Sequence, residues 1–598
     1  MNARIEDYAL IGDLETAAIV GRDGSVDWLC LPRFDSPACF AALLGTDEHG
    51  LWRVAPVHGG PCARRSYRRD TLVLDTYWEC PSGTARVTDF MPPRTAHGPC
   101  LVRVVEGLTG TVAMRSELRP RFHHGRVTPW TRAEGRCTVA VAGPDALWWS
   151  ADGPMEIRGD TTHASLVDFT VRAGQCLSLR LAWAPSHLPD PPQALAVPAE
   201  TALKATCDFW CRWTARCCYQ GPWREAVTRS LITLKALTYA PTGAIVAAPT
   251  TSLPERLGGE RNWDHRFCWL RDSALALSAL LRGGYRDEAT AWLDWLVRAV
   301  AGDPAGLQAV YGLAGQRRLP ETEAPWLPGY EGSRPVRFGN AAVDQFQLDV
   351  YGEVLDTLHL ALRAGVPVGP HLWSLVTSLM SQLRARWREP DRGLWEVRGE
   401  RRQFVHSKVM VWVAADRALR MGDMLGRTEC AAQWRALRDE AHREVCRAGW
   451  DARRGSFVQA YGAPELDASA LLIPRVGFLP AHDPRVRGTV LAMRALDHHG
   501  FLRGSTRGGP GPRAVDGPPG SEGTVVACSL WYADALAATG RTAEAREVFE
   551  RVLAVRNDVG LLAGQWDPVS HRHLGNAPRA ASHVALVDTA FALQDAGA

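Results

Sequence analysis

Residues 258–277 read GGERNWDHRFCWLRDSALAL, and this stretch carries side chains suited to gripping a polyhydroxylated ring. Trp263 and Trp269 offer flat apolar faces, while Asp264, Arg266, Arg271 and Asp272 offer charge-assisted hydrogen bonds, which are stronger than neutral ones. A pyranose has an apolar face and a rim of hydroxyls, so a sugar site needs both kinds of group. A buried Arg–Asp network holding a helix start is the alternative reading. Three further stretches add polar groups. Residues 329–353 bring Arg334, Arg337 and Asn340 in a Gly/Pro loop, which suits a polar pocket wall. Residues 393–408 place Glu396 beside Trp395, with His406 and Lys408 opening the next helix. A carboxyl against a large apolar ring has a raised pKa and can act as a general acid. Pairing of Glu396 with nearby Arg398 is the structural alternative. The last stretch, residues 557–583, reads NDVGLLAGQWDPVSHRHLGNAPRAASH.

The elements that position these groups follow from periodicity. Up to about residue 185 short alternating runs such as TLVLDTYWEC and LSLRLAWAP are separated by turn residues, which predicts an antiparallel sandwich. Residues 185–198 are proline-rich and read as a linker. Beyond about residue 200, segments with apolar positions at i, i+3, i+4 and i+7 predict ten to twelve helices, many closed by Gly. Short and long connections alternate, as expected for paired helices in a closed toroid with the long loops at one end. The Gly/Pro-rich loop 503–523 is too long for a plain connection and reads as a functional rim or a disordered segment.

Composition excludes several function classes. The 598 residues carry a net charge of +3, too little for this length to suggest nucleic acid or an anionic membrane as partner. No apolar run reaches the ~18 residues of a membrane span, and the first twenty residues lack a signal-peptide pattern, so a cytoplasmic protein is expected. Lysine occurs only at 204, 235 and 408. The 15 cysteines have no regular spacing, and Cys207, Cys211, Cys217 and Cys218 read as reduced thiols in a helical pattern. The adjacent pairs His123-His124 and His498-His499 cannot face one metal, so no metal site is expected. Nothing in the pattern specifies an oligomeric state.

Taken together, these stretches resemble glycoside hydrolase family 15, the bacterial glucoamylase and trehalase-like group. The resemblance rests on IEDYALIGDLETAAIVGRDGSVDWLCLPRFDSPACFAALLG at the front, then RNWDHRFCWLRD, GYEGSRPVRFGNAA, GLWEVRG with HSKVM, EGTVVACSLWYADALAATGR and LGNAPRAASHVAL in the family's order. It implies a multi-domain β plus all-α architecture, with a β-sandwich over residues 1–185, a linker over 186–220 and an (α/α)6 barrel over 221–598. It also implies inverting attack on a non-reducing-end α-glucoside, with Glu396 as acid. Trp263, Asp264, Trp269, Arg271, Asp272, Arg334, Trp395, Lys408 and Trp566 would then bind the substrate.

Inversion needs a second carboxyl to activate water from the opposite face. Family members carry a Glu in a Leu-Ser-Glu-Glu/Gln-aromatic-Asp context. Here the run is Leu562-Ala563-Gly564-Gln565-Trp566-Asp567, so the base position falls on Gly564. Glu331 and Asp588, which replace the family's usual Arg and Asn, are candidate substitutes. The alternatives are a phosphate-dependent or acceptor-dependent glucosyl transfer, with phosphate as co-substrate or activator, and an inactive sugar-binding pseudoenzyme. Related (α/α)6 phosphorylases lack this Glu and bind phosphate in its place.

Overall fold

The computed structural model describes residues 3–58, 62–95, 97–152, 158–159, 164–367, 369, 371–506 and 522–597. Among the described residues, fifteen strands before residue 186 pair antiparallel throughout. The 20-residue strand Cys100–Arg119 belongs to two sheets. Its first half pairs with Gly83–Phe90 and Cys176–Pro185, and its second half with Leu51–Pro56 and Ser165–Arg172. A strand that switches sheets turns one ribbon into two packed layers. Gly110 makes the turn possible: its φ is +58°, and a Cβ there would lie 2.2 Å from the Ser82 carbonyl oxygen.

The predicted linker carries a helix of its own. Ala199–Thr214 lays Ala202, Leu203 and Cys207 against the outer face of the second sheet, over Val73, Phe90 and Trp148. The segment is therefore a packed element and not a spacer.

Six inner elements then form a closed ring. Leu270–Arg282 packs on Asp349–Arg363, which packs on Val405–Leu425; the short 3-10 helix Ala468–Leu472 follows, then Val526–Ala538 and Ala580–Asp595, which returns to Leu270–Arg282. Each inner element has an outer partner on the chain: Asp287–Val300, Leu372–Arg386, Ala431–Ala448, Pro484–Ala492, Thr542–Ala554 and, closing the circle from the front, Arg224–Ala236. This is an (α/α)6 barrel. The inner helices are buried on nearly every face, as Val526–Ala538 shows, whereas outer helices such as Asp287–Val300 keep a polar stripe. The periodicity missed the fourth inner element, because Ala468–Leu472 is too short to show one; the Asp467 side chain caps it by accepting from Ser469 N.

The sandwich is welded to the barrel. Trp28 Nε1 donates to the Pro249 carbonyl at 2.9 Å, Arg65 pairs with Asp558 at 2.8 Å, and Arg266 Nη1 donates to the Ser36 carbonyl at 2.9 Å. One hydrophobic core runs through both units. The loops that precede the inner helices gather at one mouth, where their polar residues line a shared cavity.

Candidate active site

A cavity of about 200 Å³ opens at this mouth. Residues 261–266 explain how the chain loads it. The segment is extended, so successive side chains point to opposite sides. Arg261, Trp263 and His265 face the cavity, while Asn262, Asp264 and Arg266 are buried behind it. Asp264 is spent on Arg266 (2.7 Å) and on the Gly339 N–H (3.1 Å). The expected sugar ligand Asp264 is thus a structural residue behind the wall. Trp263 is at the wall, with Arg398 and Arg337 over its ring at 3.9 and 4.7 Å.

Arg271 and Asp272 occupy the first turn of the inner helix Leu270–Arg282 and line the cavity. Arg271 Nε donates to Asp272 Oδ1 at 3.0 Å, and its Nη1 donates to the Leu394 carbonyl at 2.9 Å and to Glu396 Oε1 at 3.3 Å. Arg579 Nη2 donates to the other oxygen, Asp272 Oδ2, at 2.9 Å. Burial raises the Glu396 carboxyl above its ordinary value, Arg271 works against that rise, and Asp272 adds to it. Glu396 therefore holds its proton more readily than an exposed glutamate, which suits a donor to a leaving oxygen. Its φ is +54°, a region that costs a non-glycine residue about 1–3 kcal/mol. Glu396 N donating to the Gly393 carbonyl and Gln345 Nε2 donating to the Glu396 carbonyl hold the backbone there. Arg398 does not pair with Glu396; it grips Glu321 at 2.8 and 2.6 Å. Trp395 also lines the cavity, and its Nε1 donates to Asp467 at 2.8 Å.

Gly564 lies on the facing wall. It belongs to the loop before Ala580–Asp595, and Glu396 to the loop before Val405–Leu425; these helices stand opposite each other in the ring. A Cβ built on Gly564 would meet nothing nearer than Arg579 Cγ at 3.6 Å, so packing leaves room for a side chain. Arg579 Nη1 is buried and has no hydrogen-bond partner among the described residues.

The other expected site residues lie outside the cavity lining. Trp269 is buried among Ala247, Phe267 and Val310, edge-on to the His265 ring at 5.3 Å and with its indole against the Glu396 carboxyl. Trp566 packs edge-on to His573, outside the cavity lining. Arg334 is exposed and donates to the Pro328 carbonyl at 3.2 Å. Lys408 is fully buried; its Nζ donates to the Trp387 and Glu389 carbonyls, past the end of Leu372–Arg386, and burial pushes its pKa down to about 8. Neither substitute base reaches the cavity. Glu331 is exposed and paired with Arg572 at 2.7 Å, and Asp588 is buried on Ala580–Asp595 and paired with Arg475. Of the long loop, residues 507–521 lie outside the described residues; Gly504 and Ser505 at one end and Glu522 at the other line the cavity. All 15 cysteines are free, and among the described residues no group of three or more His, Cys, Asp or Glu could hold a metal.

Sequence reasoning missed Glu255, His265 and Arg579. The two-residue alternation through 261–266 was the available signal for His265. Its tautomer is readable: Asn576 Oδ1 accepts from Thr250 Oγ1 and Leu253 N, which leaves Asn576 Nδ2 to donate to the Trp263 carbonyl and to His265 Nδ1 at 2.8 Å. Burial, with Arg579 and Arg271 nearby, drives the His265 pKa well below its ordinary value. A neutral ring whose Nδ1 accepts carries its proton on Nε2, so His265 is a donor and not a base.

The family described as glycosyl hydrolases family 15 matches residues 221–591, and a trehalase-like N-terminal family matches residues 1–171. The chain belongs to glycoside hydrolase family 15. Proteins named trehalase from Mycolicibacterium smegmatis and Thermoplasma volcanium are 36% and 34% identical to it, the first over 98% of this chain and 90% of its own length, the second over 99% and 94%. A bacterial glucoamylase crystallised with acarbose shares the fold over 99% of this chain and 94% of its own, with a TM-score of 0.73 at 12% identity. The family membership makes this a trehalase- or glucoamylase-like glycoside hydrolase, and no described helix is long and apolar enough to cross a membrane.

Proposed function

We propose that the protein hydrolyses trehalose, or a closely related α-glucoside, with inversion at the anomeric carbon. The observation that carries this reading is the placement of Glu396. A buried carboxyl whose pKa burial raises lies 3.3 Å from Arg271, on a loop facing the one that holds the family's base position. Arg271, Asp272 and Arg579 form a buried ion network beside it that can orient sugar hydroxyls, with Trp263 and Trp395 as apolar surfaces. Glu396 would protonate the glycosidic oxygen while water attacks C1 from the opposite side. The trehalase relatives, which span nearly the whole chain, support the choice of substrate.

The test is proton NMR of early products from trehalose. Inversion gives one β-glucose, from the attacked ring, and one α-glucose, from the leaving ring. Two α-glucose molecules, or no turnover of trehalose or maltose, overturn the reading. A second reading has its own observation. The gap over Gly564, with the unpartnered Nη1 of Arg579 near it, could hold a phosphate. Phosphate needs no deprotonation, and it would release β-glucose 1-phosphate. Product that forms only with added phosphate would favour this reading.

A further inference from the structure

We propose that Glu255 is the general base that replaces the side chain missing at Gly564. The proposal rests on the inverting hydrolase reading. Residues 253–255 run beside the loop that carries Gly564. Leu253 N donates to Asn576 Oδ1 at 3.3 Å, Gly575 N donates to the Pro254 carbonyl at 2.7 Å, and Gly564 N donates to the Asn576 carbonyl at 3.3 Å. Glu255 is thus one residue beyond a backbone bond to the segment that flanks Gly564. It lines the same cavity as Glu396, from a loop preceding an inner helix that neighbours Ala580–Asp595.

The remaining cavity groups are poorly suited to accept a proton at the required face. Asp272 has one oxygen held by Arg271 and the other by Arg579, so both guanidiniums oppose its taking a proton. Burial pushes the Glu353 carboxyl up to about 8, so it is protonated at neutral pH. His265 is a donor, and Gln565 is an amide. Glu522 is paired with Arg261 at 2.5 Å, and Gly523 N beside it donates to the Glu255 carbonyl at 3.1 Å. Glu255 gives Arg261 only one oxygen, Oε2, at 2.9 Å; among the described residues Oε1 accepts no hydrogen bond. The Glu255 charge also acts on Arg579, whose stem walls the gap at Gly564. Arg261 fixes the carboxylate as a rigid acceptor.

The step balances with water alone. Glu255 Oε1 takes a proton from water, and the water oxygen forms the new bond to C1. The bond from C1 to the glycosidic oxygen breaks, and that oxygen takes the Glu396 proton. Glu255 ends protonated and Glu396 ionised, and exchange with solvent restores both.

The test uses the full chain, trehalose and four proteins: wild type, Glu255→Gln, Glu522→Gln, and Glu255→Gln combined with Gly564→Glu. Glu255→Gln should lower kcat about 10²–10⁴-fold with little change in KM. Gly564→Glu should restore at least about tenfold in that background. Activity of Glu255→Gln within about threefold of wild type overturns the proposal, as does loss that falls on Glu522→Gln with Glu255→Gln spared, or loss that Gly564→Glu leaves untouched. Turnover only with phosphate also overturns it, because no base is then needed. An inactive wild type defeats the hydrolase reading itself, and the base assignment with it.

Discussion

Glu396→Gln separates proton donation from every other role of this residue. Gln is isosteric and can still accept from Arg271 Nη1, which lies 3.3 Å from Glu396 Oε1. Residue 396 would keep its strained backbone, because the bonds to Gly393 and Gln345 come from main-chain atoms. Only the proton and the charge change. General acid assistance is worth about 10²–10⁴ in rate, or about 3–5 kcal/mol of barrier. Trehalose hydrolysis should fall by that factor. α-Glucosyl fluoride should fall less than about tenfold, since fluoride departs without a proton and so forgoes the acid's contribution. The assay is initial rates on both substrates, with circular dichroism to verify folding. The alkaline limb of the wild-type kcat profile should also lie above that of an ordinary glutamate, because burial raises the Glu396 pKa. Equal losses on the two substrates would refute the role of Glu396 as proton donor.

Glu353 should make stability fall with rising pH. Its carboxyl lies at about 8 in the fold against an ordinary 4.5, so the unfolded chain gives up the proton first, and stability is lost as pH rises through that window. By pH 7 the penalty is about 3 kcal/mol, and Glu353→Gln should remove it, seen as a Tm gain over wild type at pH 8 that shrinks at pH 5. Lys408→Met strands two helix-end carbonyls, so it should cost about 2–4 kcal/mol in urea unfolding and leave kcat per folded molecule within about threefold. Asp588→Ala takes a buried partner from Arg475 and should cost about 3 kcal/mol, whereas Glu331→Gln at an exposed pair should cost under about 1 kcal/mol. Neither should change the rate per folded molecule, and a kcat loss in either would return that residue to the list of candidate bases.

Trp395-Glu396 and Arg271-Asp272 were legible because each is contiguous and sits where an inner helix or its preceding loop meets the mouth. Asp264 has the same chemistry in the same stretch and still faces away, because an extended segment turns alternate residues to opposite sides. Composition cannot tell a carboxylate that faces a ligand from one that closes an ion pair. Lys408 shows this: its rarity drew attention, and its ammonium serves two carbonyls beside the helix packed against it.

By itself the sequence determined the period of each element, the order β then α, and the absence of a carboxyl at Gly564. These are local properties, written in side-chain type and spacing. Only the tertiary structure decided which residues meet. Ring closure sets the loops of Glu396 and Gly564 opposite each other, brings Arg579 onto Asp272 across 307 positions, and runs Leu253–Glu255 beside Asn576. Those contacts depend on six helices closing a circle, and no local spacing in the chain encodes that closure.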